Sequence, residues 1–185
     1  MVIPDFLTRG DGISIVSPAS SIIPDYVNGS VNILDGWALS VNIALNCFGK
    51  DGYYSGTIDE RMSDFRHALY DPAVKAVLCS RGGYGAVHLL DGLTDDIARN
   101  PKWIIGFSDI SALHALCVSR GVMSLHAPMC KHLTTEPADN RCTHYLRQIL
   151  FGEIPEYKEN PHPLNRCGEG RGMLVGGNMA VLCGL

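Results

Sequence analysis

Lys102-Trp103-Ile104-Ile105-Gly106-Phe107-Ser108-Asp109-Ile110-Ser111-Ala112-Leu113 is the stretch on which the fold turns. It opens with an apolar run of β-branched and aromatic residues, long enough for one buried strand. Gly106 interrupts the run, and Ser108-Asp109 stand at its carboxyl end. From Asp109 onward Ile110, Leu113, Leu116 and Cys117 recur at helical spacing, which predicts a helix starting just after the serine. Strand, sharp turn with serine at the tip, helix is the arrangement of a nucleophile elbow. Unpaired N–H groups at the helix start would stabilise a developing oxyanion. The same Ser-Asp pair also reads as an ordinary helix N-cap. Ile110 stands where the Gly-x-Ser-x-Gly form has its last glycine.

Outward from this stretch, 185 residues suffice for one good-sized domain, or one domain and part of another. Hydrophobic content of 46% and charged content of 18% carry no signature of disorder. A net charge of −4 without any Lys/Arg cluster argues against nucleic acid as a partner. Met1 to Gly12 has no apolar core segment, so it does not read as a secretory signal, and no later run reaches transmembrane length. Seven scattered cysteines then read as reduced thiols of a cytoplasmic protein.

Ile13 to Ser17 reads as the first strand, followed by a helix from Pro24 to Gly36 and a second strand within Trp37 to Leu45. Asn46 to Gly56 reads as a loop. Thr57-Ile58-Asp59-Glu60 is a capping box, and the helix behind it turns Phe65, Ala68 and Leu69 inward before ending at Asp71-Pro72. Ala73 to Ser80 is a buried strand feeding Arg81-Gly82-Gly83-Tyr84-Gly85 and a helix through His88 to Leu90. After the 102–107 strand and the 109–120 helix come a short strand over Val122 to Leu125 and a helix over Ala138 to Leu150. Apolar strands alternating with helices predict an α/β fold. Its parallel sheet, with helices on both faces, is Rossmann-like or flavodoxin-like. Ligands of such sheets bind at the carboxyl ends of strands, where both unusual loops fall. Residues 1–151 are thus expected to form a nucleophile domain and 152–172 a linker. Residues 173–185 would open a second, truncated domain, with a strand and turn over Gly172 to Asn178 and a helix from Met179.

The glycine loop admits three readings: a phosphate cradle, a tight turn that needs glycine, or an oxyanion hole facing Ser108. His88 stands where the dinucleotide motif needs its third small residue, and no Gly-Lys-Ser/Thr follows. Cys130-x-His132 and Cys142-x-His144 do not have zinc-site spacing, so no metal is expected. His114 should point away from the elbow tip. His126 reads equally as a site residue or a satisfied core residue. Arg81 reads equally as a partner for a substrate carboxylate or for loop carbonyls.

Together these motifs resemble the LD-carboxypeptidases, peptidase family S66, a group that includes the microcin C self-immunity hydrolases. The pieces that carry the resemblance begin with Ile15-Val16-Ser17-Pro18-Ala19, Gly56-Thr57 with Arg61, and Asp71 to Val77. Ser80 to Gly85, Asn100-Pro101-Lys102, Ile105 to His114, His126-Ala127-Pro128-Met129 and Gly176-Gly177-Asn178 complete them. The resemblance implies that Ser108 is the nucleophile and that the N–H groups of Asp109 and Gly83 form the oxyanion hole. Arg81, Gly82 and Tyr84 would contact a small peptide substrate. It implies hydrolysis, through an acyl-enzyme, of the bond joining an L-centre to the terminal D-alanine of murein tetrapeptides, as in cell-wall recycling. No cofactor, metal, nucleic acid or membrane is implied, and a cytoplasmic homodimer is. The family's glutamate and histidine triad partners lie in a second domain, and no glutamate here sits in a matching motif. The chain alone is therefore expected to be close to inactive. The alternatives are a hydrolase of microcin-type peptide conjugates, a non-catalytic ligand-binding remnant on the same scaffold, and, more weakly, an amidotransferase-like or Rossmann-like domain.

Overall fold

A computed structural model of the protein describes residues 1–137 and 139–185. Among these residues five parallel strands form one sheet: β1 (Gly12–Val16), β2 (Ser40–Ile43), β3 (Val74–Cys79), β4 (Trp103–Gly106) and β5 (Leu125–His126). Their spatial order is β2-β1-β3-β4-β5, the order of flavodoxin-like doubly wound sheets. Ile15 pairs with Leu78 and Leu78 with Ile105, so the carboxyl ends of β1, β3 and β4 lie side by side.

Two apolar layers enclose the sheet. Val16, Val77, Cys79 and Ile104 pack with Phe65 and Leu69 of α2 (Ile58–Tyr70), Leu93 and Ile97 of α3 (Leu90–Arg99), and Leu113 and Cys117 of α4 (Ser111–Ser119). On the other face Ile13, Ile15, Leu78, Trp103 and Ile105 meet Val27 and Leu34 of α1 (Pro24–Gly36). Leu133 of α5 (Cys130–Thr135) and Leu146 and Leu150 of α6 (Arg141–Leu150) complete that layer. Each such side chain contributes about 1.5–3 kcal/mol by leaving water. The α2 cap is the expected one: Thr57 Oγ1 accepts from the Glu60 N–H at 3.2 Å, and Glu60 accepts from the Thr57 N–H at 2.8 Å.

The differences from the sequence reading are local. Strand β2 is shorter than 37–45, because Ala38 turns with φ +61° and only residues 40–43 reach β1. The strand expected over 122–125 starts three residues later, at Leu125–His126, since Val122 bridges Val2 of the amino terminus instead. Both central helices open with a 3-10 turn, Ala86–Leu89 before α3 and Ser108–Ile110 before α4. Helix α5 had no expectation, and α6 begins at Arg141 behind an Asn140 cap, whereas the expected start, Ala138, lies outside the described residues. Residues 152–178 contain no helix or strand, so the strand expected over Gly172–Asn178 is not formed. A strand needs a paired neighbour, and Met173, Leu174 and Val175 are exposed. Helix α7 (Met179–Leu182) follows as expected.

Candidate active site

The elbow follows directly from β4. Gly106 is required where the chain doubles back, because a Cβ there would lie 2.9 Å from Ile110 Cγ1 and 3.0 Å from its Cγ2. Phe107 is extended, and Ser108 then adopts φ +62°. L-residues enter this left-handed region at a cost of about 1–2 kcal/mol, and such strain concentrates at functional positions. The positive φ also explains why the helix does not run on from Asp109 but begins with a 3-10 turn. The Ser108 hydroxyl caps nothing: neither the 3-10 turn nor α4 has a side-chain cap bond, and Ser108 Oγ has no hydrogen-bond partner among the described residues. Half-buried and unbonded, it sits at the tip of the turn.

The glycine loop is pressed against this turn. A Cβ on Gly82 would be 3.2 Å from both the Asp109 N and Ser108 Cβ, so glycine lets the β3 loop reach the elbow. Gly83 has φ +114°, and its Cβ would fall 2.1 Å from Ser20 Oγ. Ser20, in the loop after β1, holds Gly83 from both sides: its N–H donates to Gly82 O and its hydroxyl accepts from the Tyr84 N–H, each at 3.3 Å. The N–H groups of Gly83 and Asp109 find no protein acceptor among the described residues. The Asp109 carboxylate turns the other way and accepts from the Ala86 N–H at 2.9 Å, tying the elbow to the loop's end. Burial pushes this carboxyl above its usual range, against the opposing effects of the Ala86 N–H, His88 and Arg61.

Arg61 staples the site from beneath. It is 2% exposed and has no carboxylate partner among the described residues. Its guanidinium donates to Pro18 O (2.8 Å), Gly85 O (3.0 Å), and Gly56 O and Thr57 O (both 3.3 Å), and lies 5.1 Å over the Tyr54 ring. Loops after β1, before α2 and after β3 are thereby fixed to one cation. The sequence reading placed Arg61 in a motif without giving it a role. The signal was present, because Arg61 stands four residues before Phe65 on the inward face of α2. Ser20 offered no comparable signal, since its partner Tyr84 is 64 residues away in sequence.

The remaining candidates are placed as follows. Arg81 is exposed and donates to Ser21 O at 3.0 Å, the loop-carbonyl alternative. Tyr84 is 57% exposed, edge-on to His88 with ring centroids 5.5 Å apart. His114 is buried behind the strand, its Nε2 2.9 Å from Gly106 O and its Nδ1 2.8 Å from Ser124 Oγ. A carbonyl only accepts, so Nε2 carries the proton. Burial holds the imidazole below its ordinary pKa, leaving the neutral tautomer. It points away from the elbow tip, as expected. His126 is exposed at the end of β5, its ring 5.9 Å from Phe107, and His132 of α5 packs against Phe107 in a T-shaped contact at 4.8 Å. Cys130 is buried in α5 and Cys142 exposed on α6.

A strained serine, two unclaimed N–H groups and a glycine loop at the ends of adjacent parallel strands are parts that an acyl-transfer site uses, without the general base it also needs. Comparison with known proteins gives the family. The chain is 34% identical over 179 residues to a candidate carboxypeptidase of Synechocystis sp., covering 95% of this chain and 57% of that one. It is 27% identical over 179 residues to the murein tetrapeptide carboxypeptidase of Pseudomonas aeruginosa, covering 92% of this chain and 58% of that one. Among solved structures, the MccF-like protein of Bacillus anthracis superposes with a TM-score of 0.75 at 31% identity, covering 81% of this chain and 47% of that one. The chain thus spans a little over half the length of the curated relatives it matches. Residues 13–127, which hold Ser20, Arg61, the glycine loop and the elbow, match the LD-carboxypeptidase N-terminal domain model, and the chain belongs to peptidase family S66.

Proposed function

We propose that this chain supplies the nucleophile domain of a serine LD-carboxypeptidase. Ser108 attacks the carbonyl of the L-D bond before a terminal D-alanine, and the N–H groups of Asp109 and Gly83 receive the oxyanion. One observation carries the reading: Ser108 is held at φ +62° with a hydroxyl that serves no structural bond. Gly82 keeps the loop close, and the exposed Arg81 and Tyr84 would meet the peptide's carboxyl end. A murein tetrapeptide is the proposed substrate, on the strength of the Pseudomonas relative. In the same reading residues 1–151 form the nucleophile domain, 152–172 a linker and 173–185 the entry to a second domain, in a cytoplasmic homodimer.

No His, Asp or Glu side chain among the described residues hydrogen-bonds to Ser108 Oγ, and a serine without a base is a weak nucleophile. The 185-residue chain by itself is therefore expected to release D-alanine barely above background. The test is D-alanine release from murein tetrapeptide by the complete gene product. Ser108→Ala should lower kcat by about a thousandfold or more with folding intact, and turnover within tenfold of the parent would remove Ser108 as nucleophile. Likeness to MccF, whose structure in complex with glutamyl sulfamoyl guanosine is 25% identical with a TM-score of 0.72, favours one second reading, a microcin-type peptide conjugate as substrate. The same enzyme given both substrates decides by the ratio of kcat/KM.

A further inference from the structure

Gly176-Gly177-Asn178 differs from the chain around it. Residues 171–180 are exposed and without strand structure, yet Gly176 and Gly177 hold φ +150° and +154°, angles that L side chains rarely adopt. A Cβ on Gly177 would fall 2.6 Å from Ser111 Oγ and 2.8 Å from Ser111 Cβ, so glycine alone permits the approach. The Asn178 N–H donates to Ser111 Oγ at 2.8 Å. The Asn178 side chain accepts from the Val181 N–H at 3.3 Å, capping α7, and Val181 packs on the core layer that contains Leu113 and Cys117 of α4. The close approach of Gly177 and the N–H of Asn178 therefore converge on one buried hydroxyl.

That hydroxyl belongs to the first residue of α4, one helical turn past Ser108. Ser111 is fully buried, and its Oγ makes no bond to its own helix as a cap. We propose that Ser111 is a positioning residue, its hydroxyl and the Cβ-free Gly177 latching the 176–178 turn onto the helix behind the nucleophile elbow. The latch sets where the polypeptide beyond Gly172 runs relative to Ser108. Any triad partner carried by a following domain would be delivered from that fixed point. This consequence for catalysis rests on Ser108 being the nucleophile, but the latch does not, and the two fail separately.

Hydrogen exchange and NMR of the 185-residue chain test it without any turnover. Ser111→Ala removes only the acceptor oxygen. Exchange at Asn178 and over residues 179–183 should speed by about five- to tenfold, the factor one such hydrogen bond is worth. The Asn178 amide proton should shift upfield, while exchange in β3 and β4 stays as it was. Gly177→Ala, a change outside the core, should release the same segment more completely, and gives the answer should Ser111→Ala fail to fold. Unchanged exchange at Asn178 in either variant would overturn the latch. So would loosening of β3 and β4 to the same degree, which would make Ser111 a packing residue only.

Discussion

Replacing Ser108 with glycine should make the protein more stable than replacing it with alanine, although either abolishes the hydroxyl. The Ser108 Oγ has no protein partner, so Ser108→Ala loses no structural bond and should fall within about 0.5 kcal/mol of the parent. Alanine keeps the Cβ and with it the left-handed cost at φ +62°, about 1–2 kcal/mol. Glycine removes that cost but brings about 0.5–1 kcal/mol of extra chain entropy in the unfolded state. The difference favours Ser108→Gly over Ser108→Ala by about 0.5–1 kcal/mol. For a chain of this length that is about 1–4 °C in Tm, readable by calorimetry and by urea midpoints at unchanged m. The order of the two variants matters more than its size. If Ser108→Ala loses more than about 1 kcal/mol, the hydroxyl is a structural cap after all. Should the glycine variant prove the less stable of the two, the backbone at 108 is not strained, and the case for a built elbow weakens with it.

Gly83→Ala combines a φ of +114° with a Cβ 2.1 Å from Ser20 Oγ, and should cost about 2–5 kcal/mol in urea unfolding. Ser20→Gly in the same chain removes the collision but not the backbone strain, so it should restore only part of that loss; full recovery would show that strain at 83 is unimportant. The cysteines give a prediction in pH. Burial pushes the thiols of Cys47 to about 11 and of Cys117 and Cys130 to about 12, and that of Cys79 upward too. At pH 8 iodoacetamide should modify the exposed Cys142, Cys167 and Cys183 quickly and the buried four only on unfolding, as counted by mass spectrometry. Because these folded-state values lie above the ordinary 9.0, the buried thiols bind protons more tightly in the folded state. Their stabilisation is complete below about pH 9 and is lost as pH rises from there toward 12. Stability that stays level to pH 11 would contradict that burial.

The two-face sheet was legible because its signals are local: buried strands read as unbroken apolar runs, and the Thr57–Glu60 box and Pro24 mark helix starts in their own sequence. The elbow was legible for the same reason, with strand, Gly106, Ser108 and helical spacing lying within a dozen residues. What the sequence could not separate was a capping serine from an unbonded one, since both have the same neighbours and differ only in the sign of φ. Ser20 was beyond reach as a site residue, because its partners lie in the distant loop after β3; for Arg61 the inward-facing position could be read from its spacing to Phe65, but not the partners it finds in the loops after β1 and β3. The strand expected over 172–178 failed for a related reason: an apolar run specifies a strand only where another strand lies beside it.

The pattern of satisfied and unsatisfied groups is the strongest argument that this end of the sheet is a site rather than a well-made turn. Buried polar groups in folded proteins are almost always paired. Here even the Arg61 cation finds four carbonyls, and Ser17 reaches both Cys47 O at 2.7 Å and Ser80 Oγ at 2.6 Å. Against that thoroughness, the buried side-chain atoms left without partners among the described residues are His88 Nδ1 and His132 Nδ1. Both border the elbow. His88 packs on Tyr84 of the glycine loop and acts on the charge of Asp109, while His132 packs on Phe107. In the chain Ser108 and Asp109 lie between these two histidines, and the exposed Gly83 lies five residues before the first of them. Their gathering at the carboxyl ends of adjacent strands is what a surface prepared for a polar ligand requires, and a peptide's carbonyl and carboxylate would supply the missing partners.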